Sequence, residues 1–337
     1  MLTIQQDRTI LLDTGHPGQV WAVAFHADGK HVLGGNDNSI QRWRLADGQE
    51  VAKQTGMNLN SICVSRDDKW IVCGTHQKGA SVWDGELHEK IIHVEGEITV
   101  DAVDVSPNLT GFATGTRSNE VNIWSITTGQ RLVGPLRLDN FVAGVRFSPS
   151  GEHIAATSFT GIQIFNSHTG DRLITIDADQ PQWGATTPLG WSGDGQEIIT
   201  ESRDKKVRAF DASSGTQLAE SQSLHDGTPS IAIATEGNFI ATLAHQSITF
   251  LDSSTLARIG PVIEDDEQIR SVAISLDNTR LATGRHDGKI VIRDLRKIFP
   301  ELYPVNVSIF ALPCFISHID KICRYLLTNR LNKTRSL

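Results

Sequence analysis

One frame of residues returns about every forty positions, and that period constrains the fold of this chain more than any other feature. It begins as Val20-Trp21-Ala22-Val23-Ala24-Phe25-His26-Ala27-Asp28-Gly29, continues through Val32-Leu33-Gly34-Gly35, and ends at Ile40-Gln41-Arg42-Trp43. The frame comes back as Ile62-Cys63-Val64-Ser65-Arg66-Asp67 with Trp83-Asp84, and as Val103-Asp104-Val105-Ser106-Pro107-Asn108 with Trp124-Ser125. Phe147-Ser148-Pro149-Ser150-Gly151 leads to Phe165-Asn166, and Trp191-Ser192-Gly193-Asp194-Gly195 leads to Phe210-Asp211. A weaker copy runs from Ile231 through Glu236-Gly237 to Leu251-Asp252, and the last runs from Val272 to Arg293-Asp294. The end positions 43, 83, 124, 165, 210, 251 and 293 are separated by 40, 41, 41, 45, 41 and 42 residues.

Each unit alternates short apolar runs with polar turns, the pattern of hairpin-connected strands. A unit this small cannot bury its own apolar face, so neighbours must stack and share a core. Four strands per unit at this period predict propeller blades. Length alone suggests about two domains for 337 residues; the repeats instead make residues 1–295 one body and leave 296–337 as a tail.

Gly15-His16, the Ser-Pro-Ser-Gly and Ser-Gly-Asp-Gly turns, and Trp83-Asp84 together resemble the WD-repeat family, over about 280 residues. Inter-repeat segments such as Thr127-Thr128-Gly129-Gln130-Arg131-Leu132-Val133-Gly134-Pro135-Leu136 resemble the divergent WD arrays abundant in fungi. The resemblance implies an all-β, seven-bladed β-propeller whose last blade is closed by a strand from the start of the chain. Thr9-Ile10-Leu11-Leu12 is apolar and correctly placed for that role. Closure leaves only short, protected sheet edges.

The family's blades are often tied by a His, Ser/Thr, Asp and Trp hydrogen-bonded set. Repeat 1 supplies His16, Asp37 and Trp43, but glycines and Leu33 stand where the hydroxyl belongs. Repeat 5 keeps Thr200 and Asp204 with Phe210, and repeat 7 keeps Thr283 and Asp287 with Arg293. No repeat carries the full set, so the blades must lean on Val, Ile, Ala and Phe packing. Repeat 6, without the turn aspartate, is the expected weak link.

Several near-motifs carry no chemistry. A catalytic triad needs an exposed nucleophile beside an oxyanion hole, and the His, Ser/Thr and Asp residues of a repeat read more simply as strand ties. Gly190-Trp191-Ser192-Gly193-Asp194 misses the nucleophile elbow by one residue and falls in a hairpin turn. Gly74-Thr75-His76-Gln77-Lys78-Gly79-Ala80-Ser81 has Ala80 where a phosphate loop needs lysine, and it opens no helix. His88-Glu89-Lys90-Ile91-Ile92-His93 is one residue too long for a zinc helix and is expected to link two blades. Four cysteines, at 63, 73, 314 and 323, make neither a disulfide framework nor a paired zinc site. Cys63 and Cys73 are expected on adjacent strands as buried thiols. The sequons at Asn108, Asn306 and Asn332 are discounted, because Met1–Ile10 lacks the apolar run of a signal peptide. No catalytic, cofactor or metal site is predicted.

The resemblance implies partner docking on the rim where loops enter the innermost strands and loops join the second and third strands. Aligning the repeats puts Trp21, Asn60, Asp101, Ala143, Thr187, Pro229 and Arg270 at the entry position. The matching hairpin loops contribute Asn36, His76, Arg117, Arg203 and His286. Trp and Arg most often dominate interface energy, which makes Trp21, Arg117, Arg203 and Arg270 the leading candidates; their plainer roles are inter-blade packing and solvated charge.

The charge pattern favours protein partners over nucleic acid. The net charge of −8 divides into −13 on residues 1–295 and +5 on the remainder, and an acidic ring lacks the cations that phosphate contact requires. In the tail, apolar residues at 315, 316, 319, 322, 323, 326, 327 and 331 follow helical spacing. A docked helix is the simplest reading, and a basic amphipathic anchor on lipid or a partner groove is its rival. The sequence therefore predicts an intracellular, cytoplasmic or nuclear, non-catalytic interaction scaffold: a monomeric propeller inside a complex that binds proteins or peptides. The rival functions are a regulatory or sensor propeller beside an NTPase module, and an enzyme built on propeller loops.

Overall fold

The computed structural model describes residues 9–76, 79–95, 99–178, 189–202, 204–224, 231–234 and 238–300. Twenty-eight strands form seven four-stranded antiparallel sheets. Blade 1 is Ala22–Phe25, His31–Gly35, Ser39–Arg44 and Gln49–Thr55; blade 2 is Leu59–Val64, Trp70–Thr75, Ala80–Asp84 and Lys90–Val94. Blade 3 is Val100–Val105, Gly111–Thr116, Glu120–Ser125 and Arg131–Arg137; blade 4 is Gly144–Phe147, His153–Ser158, Gly161–Asn166 and Arg172–Ile176. Blade 5 is Leu189–Trp191, Glu197–Glu201, Val207–Asp211 and Gln217–Glu220; blade 6 is Ile231–Ile233, Phe239–Ala244, Ser247–Asp252 and Arg258–Glu264. Blade 7 takes Ile269–Ile274, Arg280–Arg285 and Lys289–Asp294 from the end of the body and Ile10–Asp13 from its start. Ile10 pairs with Ile292 and Asp13 with Lys289, which closes the ring.

The core is a circle of clusters, each shared by two neighbours. Leu12, Ile290 and Ile292 of blade 7 pack on Val23, Val32 and Trp43 of blade 1, and Ala102, Ala113 and Ile123 of blade 3 join Val145, Ile154 and Phe165 of blade 4. Close approach of sheets explains one recurring glycine. A Cβ on Gly74 would lie 2.8 Å from Val100 Cγ1 and 2.9 Å from the Val100 carbonyl oxygen of the next blade.

Where the turn after an innermost strand carries a serine, that serine has a chemical reason. The hydroxyls of Ser65, Ser106, Ser192 and Ser275 donate to the side chain two residues on, at 2.5–2.8 Å. The same oxygens accept the backbone N–H five residues on, at 2.9–3.0 Å. Each serine thus pins both arms of its hairpin. Blade 6 has Ala234 at this place, and blade 1 has the buried His26.

The incomplete blade ties are rebuilt from other groups. Asp37 accepts the indole N–H of Trp21 at 2.6 Å, while His16 Nδ1 accepts the Gly18 N–H at 3.0 Å. In blade 3 the Trp124 indole donates to Thr114 Oγ1 at 2.9 Å; in blade 7 the Arg293 guanidinium donates to Thr283 Oγ1 at the same distance. A second Arg293 nitrogen donates to the buried Asp265, so arginine takes over the tryptophan's bond and adds an ion pair.

Two local expectations need correction. Lys90–Val94 of the His88–His93 stretch is the outer strand of blade 2 rather than a link between blades. Its register follows Trp83 and Val82, because their pairing with Lys90 and Ile92 completes the fourth strand. Cys63 and Cys73 do lie on adjacent strands, but only Cys73 is buried; Cys63 is half-buried because it faces the central channel. The last described element is a single helical turn, Leu295–Ile298, after which Phe299 packs edge-on against Phe250 with centroids 4.7 Å apart. The tail from 301 lies outside the described residues. Among those described, no helix is long and apolar enough to cross a membrane.

Candidate functional site: the entry rim

Loops from distant parts of the sequence meet at the rim through a repeated backbone bond. In blades 2, 3 and 7 the N–H of the hairpin residue donates to the carbonyl two positions before the entry residue. His76 donates to Asn58 at 2.8 Å, Arg117 to Thr99 at 3.1 Å, and His286 to Gln268 at 2.8 Å. This bond brings His76 beside Asn60, Arg117 beside Asp101, and His286 beside Arg270.

Side chains then join neighbouring blades. Asn60, buried, donates from Nδ2 to Asp101 Oδ1 at 3.1 Å, and Arg117 reaches both oxygens of Asp101 at 2.9 and 3.2 Å. The Arg117 side chain remains 53% exposed, so an outward-facing cation tops a braced base. His76 Nδ1 lies 3.4 Å from Thr99 Oγ1. At the junction of blades 7 and 1, the Arg270 guanidinium stacks over the Trp21 ring, 5.7 Å from its centroid. Burial lowers the Arg270 pKa, its Nε has no hydrogen-bond partner, and no carboxylate pairs with it among the described residues.

Other candidates have structural duties. Asn36 is fully buried and accepts the N–H groups of Asn38 and Ser39 at 2.9 and 2.8 Å, which fastens its own turn. Trp21 is half-buried and committed to Asp37. The side chain of His286 is exposed. Arg203, Thr187 and Pro229 lie outside the described residues. Phe141 and Phe159, not singled out from the sequence, meet edge-on at 4.1 Å in blade 4. They occupy the places held by Thr99 and Arg117 in blade 3, so the repeat alignment already contained the signal. Beside them in kind is a charged knot on blade 7, where Arg285 pairs with Asp265, Asp266 and Asp287 at 3.0, 2.7 and 3.0 Å.

Below the rim the innermost strands line a central channel of about 500 Å³. Three successive blades place Cys63, Asp104 and Arg146 at one level, where the others have Ala24, Gly190, Ala232 and Ala273. Asp104 accepts the Phe147 N–H at 2.8 Å and lies 3.4 Å from both Arg146 Nη1 and Cys63 Sγ. Burial raises the Asp104 pKa, and burial with the Asp104 charge pushes the Cys63 thiol up to about 12. A thiol so protonated is a poor nucleophile. Among the described residues no group of three or more His, Cys, Asp or Glu side chains stands at metal-ligand spacing.

A closed ring of seven four-stranded antiparallel blades defines a seven-bladed β-propeller. The family model for the WD domain, G-beta repeat, matches residues 7–44, 48–84 and 260–294. The chain is a seven-bladed β-propeller that carries WD repeats at those positions. It is similar to the Eukaryotic translation initiation factor 3 subunit I of Emericella nidulans, at 30% identity over 49% of this chain and 52% of the relative. That of Candida glabrata is 23% identical over 72% of this chain and 78% of the relative. The Intraflagellar transport protein 122 homolog of Xenopus tropicalis is 20% identical over 92% of this chain but only 26% of its own length. The chain thus spans about half of the Emericella relative and a quarter of the Xenopus one.

Proposed function

We propose that this propeller is a non-catalytic scaffold that presents its entry rim to protein or peptide partners, as one propeller within a larger cytoplasmic assembly. The observation that carries this reading is the bracing of the rim. Arg117 stands on Asp101, which is held by Asn60 of the preceding blade, and the loops are tied by backbone bonds. A partner therefore meets side chains already ordered, which lowers the entropic cost of association. The net charge of −13 on residues 1–295 disfavours nucleic acid as the partner. Relatives named as subunit I of a translation initiation factor support a role among other subunits.

The test is affinity purification of the full chain carrying R117E and R270E, beside a control R66E on the exposed turn at the opposite end. Loss of co-purifying proteins with the rim variant alone, at an unchanged melting temperature, is the expected result. An unchanged partner set would reject the rim as the docking surface.

A further inference from the structure

The outer wall of the propeller carries an unexplained periodicity. In blades 1 to 5 the outer strand gains one extra residue opposite the third strand; in blade 1 it is the half-buried Val51 after Glu50, and blades 2 to 5 differ in what they expose there. Trp83 pairs with Lys90 and Val82 with Ile92, so Ile91 is skipped. Trp124 pairs with Arg131 and Ile123 with Val133, skipping Leu132. Phe165 pairs with Arg172 and Ile164 with Ile174, skipping Leu173; Phe210 pairs with Gln217 and Ala209 with Ala219, skipping Leu218. A bulge of this kind re-aims side chains, so two successive residues face outward. Ile91, Leu132, Leu173 and Leu218 are 40%, 55%, 46% and 52% exposed. They are four of the six large apolar side chains left exposed among the described residues.

These four side chains lie outside the buried clusters beside them. The inward positions beside them belong to Ile92, Val133, Ile174 and Ala219, which join the buried clusters. A polar residue would serve the bulge equally well, and strand edges are ordinarily kept polar to prevent association. The residue preceding each bulge is Lys90, Arg131, Arg172 or Gln217, all exposed. Lys90 lies over the Trp83 ring at 5.2 Å, Arg172 lies over Phe165 at 5.9 Å and donates to the Arg137 carbonyl, and Arg131 reaches Asn122 Oδ1 at 3.5 Å. None of these three cations has a carboxylate partner among the described residues, although residues 1–295 carry a net −13.

We propose that this belt of paired cation and aliphatic sites binds an extended acidic segment of a partner protein, one that carries spaced apolar residues and wraps the wall across blades 2 to 5. Uncompensated cations beside three of the four apolar sites select carboxylates. Geometry selects the extended form: the sites follow a closed curved wall over three inter-blade steps, where a flat bilayer or a straight helix meets too few of them at once. Each site is weak alone, and a single flexible chain gains strength by engaging them together. The belt is separate from the entry rim and does not depend on its role.

The test uses the full chain and two fluorescein-labelled designed peptides, each with leucines separated by flexible spacers, one rich in glutamate and one with lysine in its place. Fluorescence anisotropy should show binding of the acidic peptide, weakened about tenfold by L132S/L173S and unchanged by R117E/R270E. R131E/R172E should transfer preference to the lysine peptide. Melting curves of these surface variants check that the ring stays folded. The proposal is overturned if the acidic peptide fails to bind or is indifferent to L132S/L173S. It is overturned equally if those leucines instead govern cosedimentation with phosphatidylserine vesicles, or a concentration-dependent dimer in sedimentation velocity.

Discussion

Glu201 shows how one residue can work against the packing around it. It occupies the position of Gly74 in blade 2 and Gly115 in blade 3, where the second strand lies close against the next blade. It is only 4% exposed, and its Oε2 has no hydrogen-bond partner. Burial pushes its pKa up to about 8 against the opposing Lys205 charge. Folded protein therefore holds this proton to higher pH than unfolded chain does, and stability falls as pH rises from about 4.5 towards 8. E201Q removes the titration. It should stabilise the propeller by about 3 kcal/mol at pH 7 and by little at pH 4.5, read as chemical denaturation at both values. A gain independent of pH would mean that packing, not protonation, is the cause. Repeat alignment exposes the Gly-to-Glu departure; burial depends on the neighbouring blade and does not appear in the local pattern. Arg293 is a similar case, a mismatch in sequence whose bond to Thr283 appears only when strands pair.

At the scale of elements, turn chemistry was legible and loop conjunction was not. Serine and aspartate in the repeated turn signal a hairpin from sequence alone, and the hydroxyl bonds supply the reason. The turn into each outer strand carries a second signal. Gly170 adopts φ +80°, and a Cβ there would meet Leu136 Cδ2 at 2.9 Å and Val133 Cγ1 at 3.0 Å of the preceding blade. G170A should cost about 1–2 kcal/mol from backbone strain, with more if the two side chains cannot yield. Thermal denaturation measures it, and an unchanged melting temperature would show that blade 3 gives way freely. Alignment reaches equivalent loop positions because each blade repeats one geometry. Asn36 shows the limit of that method: its side chain is spent on its own turn.

For the whole molecule, closure is the decisive structural event. Ile10–Asp13 supplies the fourth strand of blade 7 and buries Leu12 to 2% exposure against blades 7 and 1. Removing residues 1–13 opens the Lys289–Asp294 strand edge and loses at least the burial of Leu12, about 2 kcal/mol. A sharply lower melting temperature and concentration-dependent aggregation are expected, measured by calorimetry and light scattering. A normal melt would mean that a three-stranded last blade suffices.

The sequence by itself determined the number of blades, the strand content and the places of the turns, because these follow from a local period of polar and apolar residues. It also placed loop residues on one rim, since a repeated frame repeats its geometry. Only the tertiary structure decided which rim side chains are braced, which are buried, and where the outer-strand bulges turn cations and aliphatics outward. Those outcomes come from strand register within a blade and from contacts such as Asn60 to Asp101, about forty positions apart on neighbouring blades, and the local polar and apolar period specifies neither.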